Sequence, residues 1–281
     1  MAPTALSPSR AADFMQCPLL YRFRVVDRLP EAPSPAAVRG TVVHAVLERL
    51  FDLPAPERTL GSARSLLQPQ WERVRTEDPE LGALFDGDAE AVAAWLTGAE
   101  ELLARWFELE DPTCLEPAER ELYVETTLDD GLQLRGYVDR LDVARDGRMR
   151  IVDYKTGRAP SPLFEAKALF QMKFYALVLW RLRGTIPAML QLVYLGGEGT
   201  LMRYQPEERD LLATERKLDA LWQAIERSYE RREFLPSPSR LCSWCDHQAL
   251  CPAFDGTPPP LPDPLPVPAM ESVAELADSP D

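Results

Sequence analysis

An acid and a lysine two residues apart carry the most informative chemistry in this sequence. Asp153 and Lys155 lie in the run Ile151-Val-Asp-Tyr-Lys-Thr-Gly157, which begins like a buried β-strand. Because strand side chains alternate, the carboxylate and the ammonium project from the same face. A carboxylate binds Mg²⁺, and a bound cation lowers the pKa of its water and neutralises phosphate charge. A neighbouring ammonium would position that water or stabilise charge on phosphorus, so the pair suits phosphodiester hydrolysis.

Other acids lie close enough along the chain to join this pair. Asp139 belongs to the preceding predicted strand and approaches Asp153 if the two strands pair through the turn Asp146-Gly147. Asp142 follows three residues later, so it faces the opposite way. The D-x-K spacing is common by itself, and a salt-bridged surface hairpin is the alternative interpretation of these acids.

One further strand precedes Asp139 and also carries acids. Glu121 and Glu125 share a face of that strand, and one of them could face the site.

The cysteines form a second group with its own chemistry. Cys242, Cys245 and Cys251 have the spacing C-x2-C-x5-C, and Cys17 lies far upstream. Thiolates bind soft metals and iron–sulfur clusters. A site built from all four would therefore tie the two ends of the chain together.

Zinc is the alternative occupant of the cysteine-rich segment. The three late cysteines and His247 could form a local Cys₃His site, which would leave Cys17 free. Cys114 fits neither arrangement, and we expect it to be a buried thiol.

Periodicity and turn residues predict the elements that position these residues. The predicted strands are 120–128, 132–143, 149–155, 188–195 and 200–205, and the predicted helices include 7–15, 39–51, 163–183 and 206–232. Residues 60–109 read as mostly helical, with a break at Asp78-Pro79, inside a helical insertion of about 55–115. This order predicts an α/β fold with a mixed central sheet flanked by helices.

Length and composition favour a single globular domain at residues 1–255. The chain has 281 residues, of which 46% are hydrophobic, whereas the proline-rich acidic segment 256–281 is predicted to be disordered. The net charge of −14 argues against a protein that coats duplex nucleic acid by charge alone. No apolar run reaches the ~18 residues of a membrane span, and the N-terminus lacks a signal-peptide core. A cytoplasmic monomer is the default expectation.

The two acidic motifs together resemble a known nuclease family. Gly136-Tyr-Val-Asp-Arg-Leu-Asp142 followed by Val152-Asp-Tyr-Lys-Thr-Gly157 is similar to the core of RecB-type nucleases of the PD-(D/E)XK superfamily. Two more motifs fit that family. They are a G-x-x-x-H pattern at Gly40 and His44, and a Q-x-x-x-Y pattern on the helix after the lysine strand.

The resemblance implies a restriction-endonuclease-like fold and a divalent metal site using Mg²⁺ or Mn²⁺. It assigns metal ligation to His44, Asp139, Asp153 and the carbonyl of Tyr154, and catalytic roles to Lys155, Asp153, Asp139, Gln171 and Tyr175.

The cysteine spacing resembles the iron-staple branch of these nucleases, which includes AddB-like and CRISPR-adaptation nucleases. That resemblance implies a [4Fe–4S] cluster forming a knot that joins the N- and C-terminal regions, held by Cys17, Cys242, Cys245 and Cys251.

The function implied is a DNA exonuclease, with possible endonuclease activity, that prefers single strands and acts in repair or recombination. The chain has no GxxxxGK[ST] loop and therefore no visible ATPase of its own, so a separate helicase could supply the single strands. Tyr21, Phe23 and Trp244 are candidates for stacking bases, although core packing is the more common role of such aromatics. One alternative is a catalytically silent DNA-binding module that carries the cluster, and the intact acids and lysine argue against it. The other alternative is a subunit of a larger helicase–nuclease complex.

Overall fold

The fold is built on a mixed sheet of six strands. The structure, a computed structural model, describes residues 5–161 and 165–265. The strands are β1 (Ala5–Leu6), β2 (Glu119–Thr127), β3 (Gln133–Val143), β4 (Met149–Lys155), β5 (Met189–Tyr194) and β6 (Thr200–Tyr204). The helices are α1 (Pro8–Gln16), α2 (Pro18–Tyr21), α3 (Pro35–Leu50), α4 (Leu60–Glu77), α5 (Ala89–Leu109), α6 (Glu165–Arg183) and α7 (Glu208–Arg231).

Strand β3 organises the sheet because it has three partners. One edge pairs antiparallel with β2 over most of its length. The other edge pairs in parallel with β1 at residues 133–134 and antiparallel with β4 at residues 140–143. On that second edge, residues 135–139 pair with neither strand. The sheet therefore opens between β1 and β4, and we call this opening the fork. Beyond β4, β5 is parallel and β6 antiparallel.

Helices cover both faces of the sheet and create two apolar cores. One core lies between the sheet and α1, α6 and α7, and it takes Ile151 from β4. The other contains α3, α4 and α5, and it takes Val152 and Tyr154 from the same strand. Because both faces are covered, β4 and β5 are apolar along most of their length. No helix in the described part of the chain has the length and apolar character to cross a bilayer.

The β2–β3 ribbon reverses its faces at Glu121. Leu122 and Val124 pack in the core beneath α6, whereas Arg120 reaches the opposite side and lies 2.9 Å from Asp52, next to α3. Regular alternation would put all three even-numbered residues on one face. The reversal coincides with a left-handed conformation of Glu121, whose φ is 45°.

The predicted sheet and helix layers are confirmed, and the differences lie at element ends. Helix α7 begins at Glu208, not Pro206, because Glu207 forms a capping box with the first turn. Helix α3 begins at Pro35 because the Ser34 hydroxyl accepts hydrogen bonds from the following backbone N–H groups. Strand β1 was not predicted, since two residues carry no periodicity.

The chain after Gly256 differs from its prediction as a disordered tail. Residues 256–265 lie against the body, with the Arg22 guanidinium donating to the carbonyl of Pro259 and Leu265 buried in the core. The disorder prediction is therefore wrong for these ten residues, whose composition does not reveal their packing. The rest of that prediction, for residues 266–281, lies outside the described residues.

The loops after β4 and β5 touch through two glycines. The Gly196 N–H donates to the Gly157 carbonyl at 2.9 Å. A Cβ at Gly196 would lie 2.5 Å from the carbonyl carbon and oxygen of Gly157, whereas a Cβ at Gly157 would meet nothing within 4 Å.

We predict that Gly196→Ala lowers the free energy of unfolding by about 1–3 kcal/mol, because the added methyl displaces backbone. Gly157→Ala is the matched control and should stay within about 0.5 kcal/mol of wild type. Urea unfolding curves measure both. Equal stability of the two variants would contradict the proposed contact.

Candidate active site

Three potential metal ligands meet at the fork. His44 on α3, Glu121 on β2 and Asp139 on β3 each offer a ligand atom, and these atoms all lie within 4.8 Å of one another. In the part of the chain that the structure describes, they are the one group of histidine, cysteine or acidic residues this close. The register explains the pairing, because Glu121 and Asp139 fall opposite each other between paired positions of β2 and β3.

Asp153 lies beside this group across the fork. The β3–β4 register ends at Arg140 and Val152, so Asp139 and Asp153 are the next opposed residues. The Tyr154 N–H donates to the Asp139 carboxylate at 2.7 Å, where a backbone bond would otherwise continue the ladder. Asp153 was predicted as a metal ligand together with His44 and Asp139. The tight group holds Glu121 in its place.

Lys155 begins a line of polar contacts across the site. Its ammonium lies 3.3 Å from the Asp153 carboxylate and donates to the Gln171 side-chain oxygen at 3.0 Å. The Gln171 amide nitrogen donates to the Tyr175 hydroxyl at 3.4 Å. The predicted same-face pairs 153/155 on β4 and 171/175 on α6 are therefore brought together. Gly136 makes room, since a Cβ there would lie 2.7 Å from the Tyr175 ring.

Two other motif residues, His44 and Gly40, lie on α3 next to these strands. The Nδ1 of His44 is 3.5 Å from the Asp139 carboxylate. A Cβ at Gly40, one turn earlier on α3, would lie 3.3 Å from the Thr156 hydroxyl, so glycine allows the close approach of α3 and the β4 end.

Glu121 carries the clearest electrostatic signature of the site. Burial, followed by the charges of Asp139, Glu48 and Asp153, raises the pKa of its carboxyl to about 9. Its left-handed backbone is unusual for a non-glycine residue, and such strain concentrates at functional sites. Sequence pattern did not distinguish Glu121 from Glu125, because a left-handed residue inside a strand leaves no periodic signal.

Several sequence candidates lie elsewhere. Glu125 is exposed and accepts a hydrogen bond from the Tyr123 hydroxyl. Tyr21 and Phe23 are fully buried, so they belong to the core and do not stack bases. Trp244 is 84% exposed and stays available for contact.

A buried ionic network lies behind the acids. The Arg140 guanidinium, 1% exposed, donates to both oxygens of Glu110, to Asp142 and to the Tyr154 hydroxyl. Arg150 also pairs with Asp142, at 2.7 Å. Burial opposes ionisation of Glu110, but Arg140 outweighs it and lowers the pKa of that carboxyl. Because Asp142 pairs with Arg140 and Arg150, it lies outside the group of His44, Glu121 and Asp139, as its strand position predicted.

Glu110 was not singled out by the sequence analysis.

The four predicted cluster cysteines line one apolar cavity: Cys17, Cys242, Cys245 and Cys251. The cavity lies between helices α1 and α2 and residues 236–254, which we call the C-terminal knot. The Ser237 N–H points at the sulfur of Cys17 at 3.3 Å, and the Ser239 N–H at that of Cys242 at 3.2 Å. Hydrogen bonds from backbone N–H groups to sulfur are common around metal-bound cysteines.

The alternative zinc site would need His247, which does not line this cavity. His247 is buried, its Nε2 lies 2.8 Å from a carboxylate oxygen of Glu31, and its ring packs on Phe23. No three cysteine or histidine ligand atoms at the knot lie within 4.8 Å of one another among the described residues. Cys114 is exposed, so its prediction as a buried thiol was wrong. It lies in the turn after α5, where its sulfur donates to Asp111.

Comparison with known proteins fits this geometry. A sequence model of the PD-(D/E)XK nuclease superfamily matches residues 5–252, which covers the sheet, the acids and the cysteine segment. The chain belongs to the PD-(D/E)XK nuclease superfamily. Enzymes of this superfamily use divalent metals and act on DNA, and the His44, Glu121 and Asp139 group is suited to hold such a metal.

Individual relatives of this PD-(D/E)XK nuclease are distant. The Gene 69 protein of Mycobacterium phage D29 is 25% identical over 270 residues, covering 88% of this chain and 96% of the phage protein. That of phage L5 is 21% identical over 292 residues, with the same coverage. A Eubacterium rectale crystal structure, provisionally described as an exonuclease, has a TM-score of 0.56 at 14% identity and covers 87% of this chain and 88% of its own. This last likeness supports the fold.

The raised pKa of Glu121 should make the free energy of unfolding of the metal-free protein depend on pH. The folded chain holds a proton between the ordinary value of 4.5 and about 9 that the unfolded chain releases. The contribution of this proton to the free energy of unfolding is therefore complete below pH 4.5. It declines as the pH rises towards 9, by at most about 1.4 kcal/mol per pH unit. We predict that Glu121→Gln flattens this dependence.

Urea unfolding in a chelating buffer, at about pH 6 and about pH 8, measures the difference. Glu125→Gln, an exposed acid on the same strand, is the control and should keep the wild-type slope. An unchanged slope in Glu121→Gln would show that its carboxyl titrates normally.

Proposed function

We propose that this protein is a Mg²⁺- or Mn²⁺-dependent deoxyribonuclease of the RecB type that hydrolyses phosphodiester bonds. The observation that carries the proposal is the meeting of Asp139, Glu121 and His44 with Asp153 and Lys155 at the fork. Fold class alone would not carry it, because one fold serves many functions.

The metal ligands in this proposal are His44, Asp139, Asp153 and the carbonyl of Tyr154, with Glu121 added. Oxygen ligands suit Mg²⁺ and Mn²⁺. Such an ion would polarise a phosphate and lower the pKa of a bound water, so that hydroxide is available at neutral pH. The group favours cation binding because three carboxylates share a partly buried space, where the charges of Asp139 and Asp153 add to burial in raising the pKa of Glu121.

Lys155 is proposed as the catalytic cation. Its ammonium lies between the Asp153 carboxylate and the Gln171 amide oxygen, so it can donate to an attacking water or to a phosphate oxygen. Gln171 and Tyr175 orient this ammonium from α6. Burial and the charges of Asp153 and Asp139 raise the pKa of Tyr175, which keeps its hydroxyl neutral and able to donate.

The substrate we propose is DNA, with single strands preferred and exonucleolytic cleavage, in repair or recombination. The acidic net charge of −14 supports contact confined to a groove. A helicase partner would supply single strands, and a cytoplasmic location suits a protein with reduced cysteines. The retained acids and lysine favour an enzyme over a silent DNA-binding module.

End-labelled single- and double-stranded DNA tests the activity directly. We predict that wild type cleaves single strands faster in Mg²⁺ or Mn²⁺ and not in chelator, and that Asp153→Ala and Lys155→Ala each lose at least about 100-fold in rate. Asp129→Ala removes an exposed turn acid and should cleave normally. Cleavage that survives in both site variants would assign the activity to another site or a contaminant.

We further propose that Cys17, Cys242, Cys245 and Cys251 hold a [4Fe–4S] cluster. The donor set fits, since four thiols line one apolar cavity. A tetrahedral zinc ion would draw its sulfurs to about 3.8 Å from each other, given Zn–S bonds of about 2.3 Å. A [4Fe–4S] cluster uses four cysteine thiolates, which matches the number of cysteines at this cavity. The cluster would join α1 to the C-terminal knot and contribute to folding.

Anaerobic purification tests the cluster. We expect a brown protein with broad absorbance near ~400 nm and matched iron and sulfide. Cys242→Ser should lose colour and lower the unfolding temperature. Cys114→Ser, the exposed cysteine outside the cavity, should keep both. A colourless protein with one equivalent of zinc would overturn the cluster proposal and leave the nuclease proposal intact.

A further inference from the structure

The two strand ends that carry the acids are not held together by their backbones. Pairing between β3 and β4 stops at Arg140 and Val152, one residue short of Asp139 and Asp153. The strands diverge from there into the fork. The distance between the two acids must therefore be fixed by side chains.

Tyr154 is held at two points across this divergence. Its backbone N–H donates to the Asp139 carboxylate at 2.7 Å. At the other end of the residue, its hydroxyl accepts a hydrogen bond from Arg140, the neighbour of Asp139 on β3. The residue between Asp153 and Lys155 is thus tied twice to β3.

Arg140 is itself fixed from the helical insertion. Glu110, directly after α5, accepts from both terminal nitrogens of the guanidinium, at 2.9 and 2.8 Å. Both Glu110 oxygens are further held, one by the Trp106 indole N–H and one by the Gln191 amide, each at 2.9 Å. Glu110 and Arg140 are 6% and 1% exposed, so neither can turn away to solvent. A bidentate, buried pair has one geometry.

We propose that Glu110, Arg140 and Tyr154 form a positioning clamp that sets the spacing of Asp139 and Asp153 and so tunes metal affinity. The helical insertion that contains α4 and α5 then influences the metal site because it places Glu110 against Arg140. These are positioning residues, since the clamp hydroxyl, guanidinium and carboxylate contact the acids' neighbours and not the acids. The clamp rests on the proposed metal-dependent function, but its test reads metal binding directly.

Tyr154→Phe is the sharpest variant, because it removes the clamped hydroxyl and keeps the ring in its core. Arg140 retains Glu110 and Asp142, so the chain should fold with a nearly unchanged unfolding temperature. We expect Mn²⁺ affinity, measured by the electron paramagnetic resonance of free Mn²⁺, to fall about 10-fold or more. Cleavage should require more Mn²⁺ for half-maximal rate and regain most of its wild-type maximum at saturating metal.

Tyr123→Phe is the matched control. It also removes one tyrosine hydroxyl that bonds a polar partner, Glu125, but on the exposed face of β2. Mn²⁺ affinity should not change in this variant.

Glu110→Gln tests the other end of the clamp with the same side-chain shape. Its effect on Mn²⁺ affinity should be less than additive with that of Tyr154→Phe, because both act through Arg140. If either variant unfolds, the other still tests the clamp.

Wild-type Mn²⁺ affinity in a folded Tyr154→Phe variant would overturn the clamp, and so would a loss of stability without a change in affinity. Failure of the parent proposal looks different. A wild-type protein that binds Mn²⁺ and cleaves no DNA would overturn the nuclease proposal and would not contradict the clamp.

Discussion

The concentration of negative charge at the fork is the constraint on which the rest of the structure depends. Glu121, Asp139 and Asp153 share a partly buried space, where like charges repel and burial disfavours ionisation. A folded chain tolerates such a group when a proton or a cation neutralises it. The raised pKa of Glu121 reports that requirement, and a divalent ion meets it in a nuclease.

The fork exists because β3 changes partners along one edge. Regular pairing would fill residues 135–139 with backbone hydrogen bonds and leave no space for side chains to converge. At the opening, a side chain replaces the backbone acceptor, because the Tyr154 N–H donates to the Asp139 carboxylate. The two apolar cores lie on opposite faces of the sheet around this opening, and helices α3 and α6 bring His44 and Gln171 to it.

Helix α1 connects the fork to the cavity lined by the four cysteines. Helix α1 starts beside the fork, where Pro8 approaches Gly136, and ends at Cys17 about 13 Å further on. There the Ser237 N–H donates to the Cys17 sulfur, and residues 256–265 continue the C-terminal segment along the body. The first and last parts of the described chain are thereby joined on one side of the sheet, whereas the helical insertion supports the other side through Glu110.

The sequence by itself determined the features that depend on local spacing. The alternation of a strand put Asp153 and Lys155 on one face, and the period of a helix did so for Gln171 and Tyr175. Cysteine spacing likewise identified the four residues that line one cavity. Tertiary structure alone decided that Glu121 joins the metal group, that Glu110 holds Arg140, and that Cys114 is exposed. These outcomes arise from contacts between residues far apart in the chain and from a left-handed strand residue, and neither leaves a periodic pattern in the sequence.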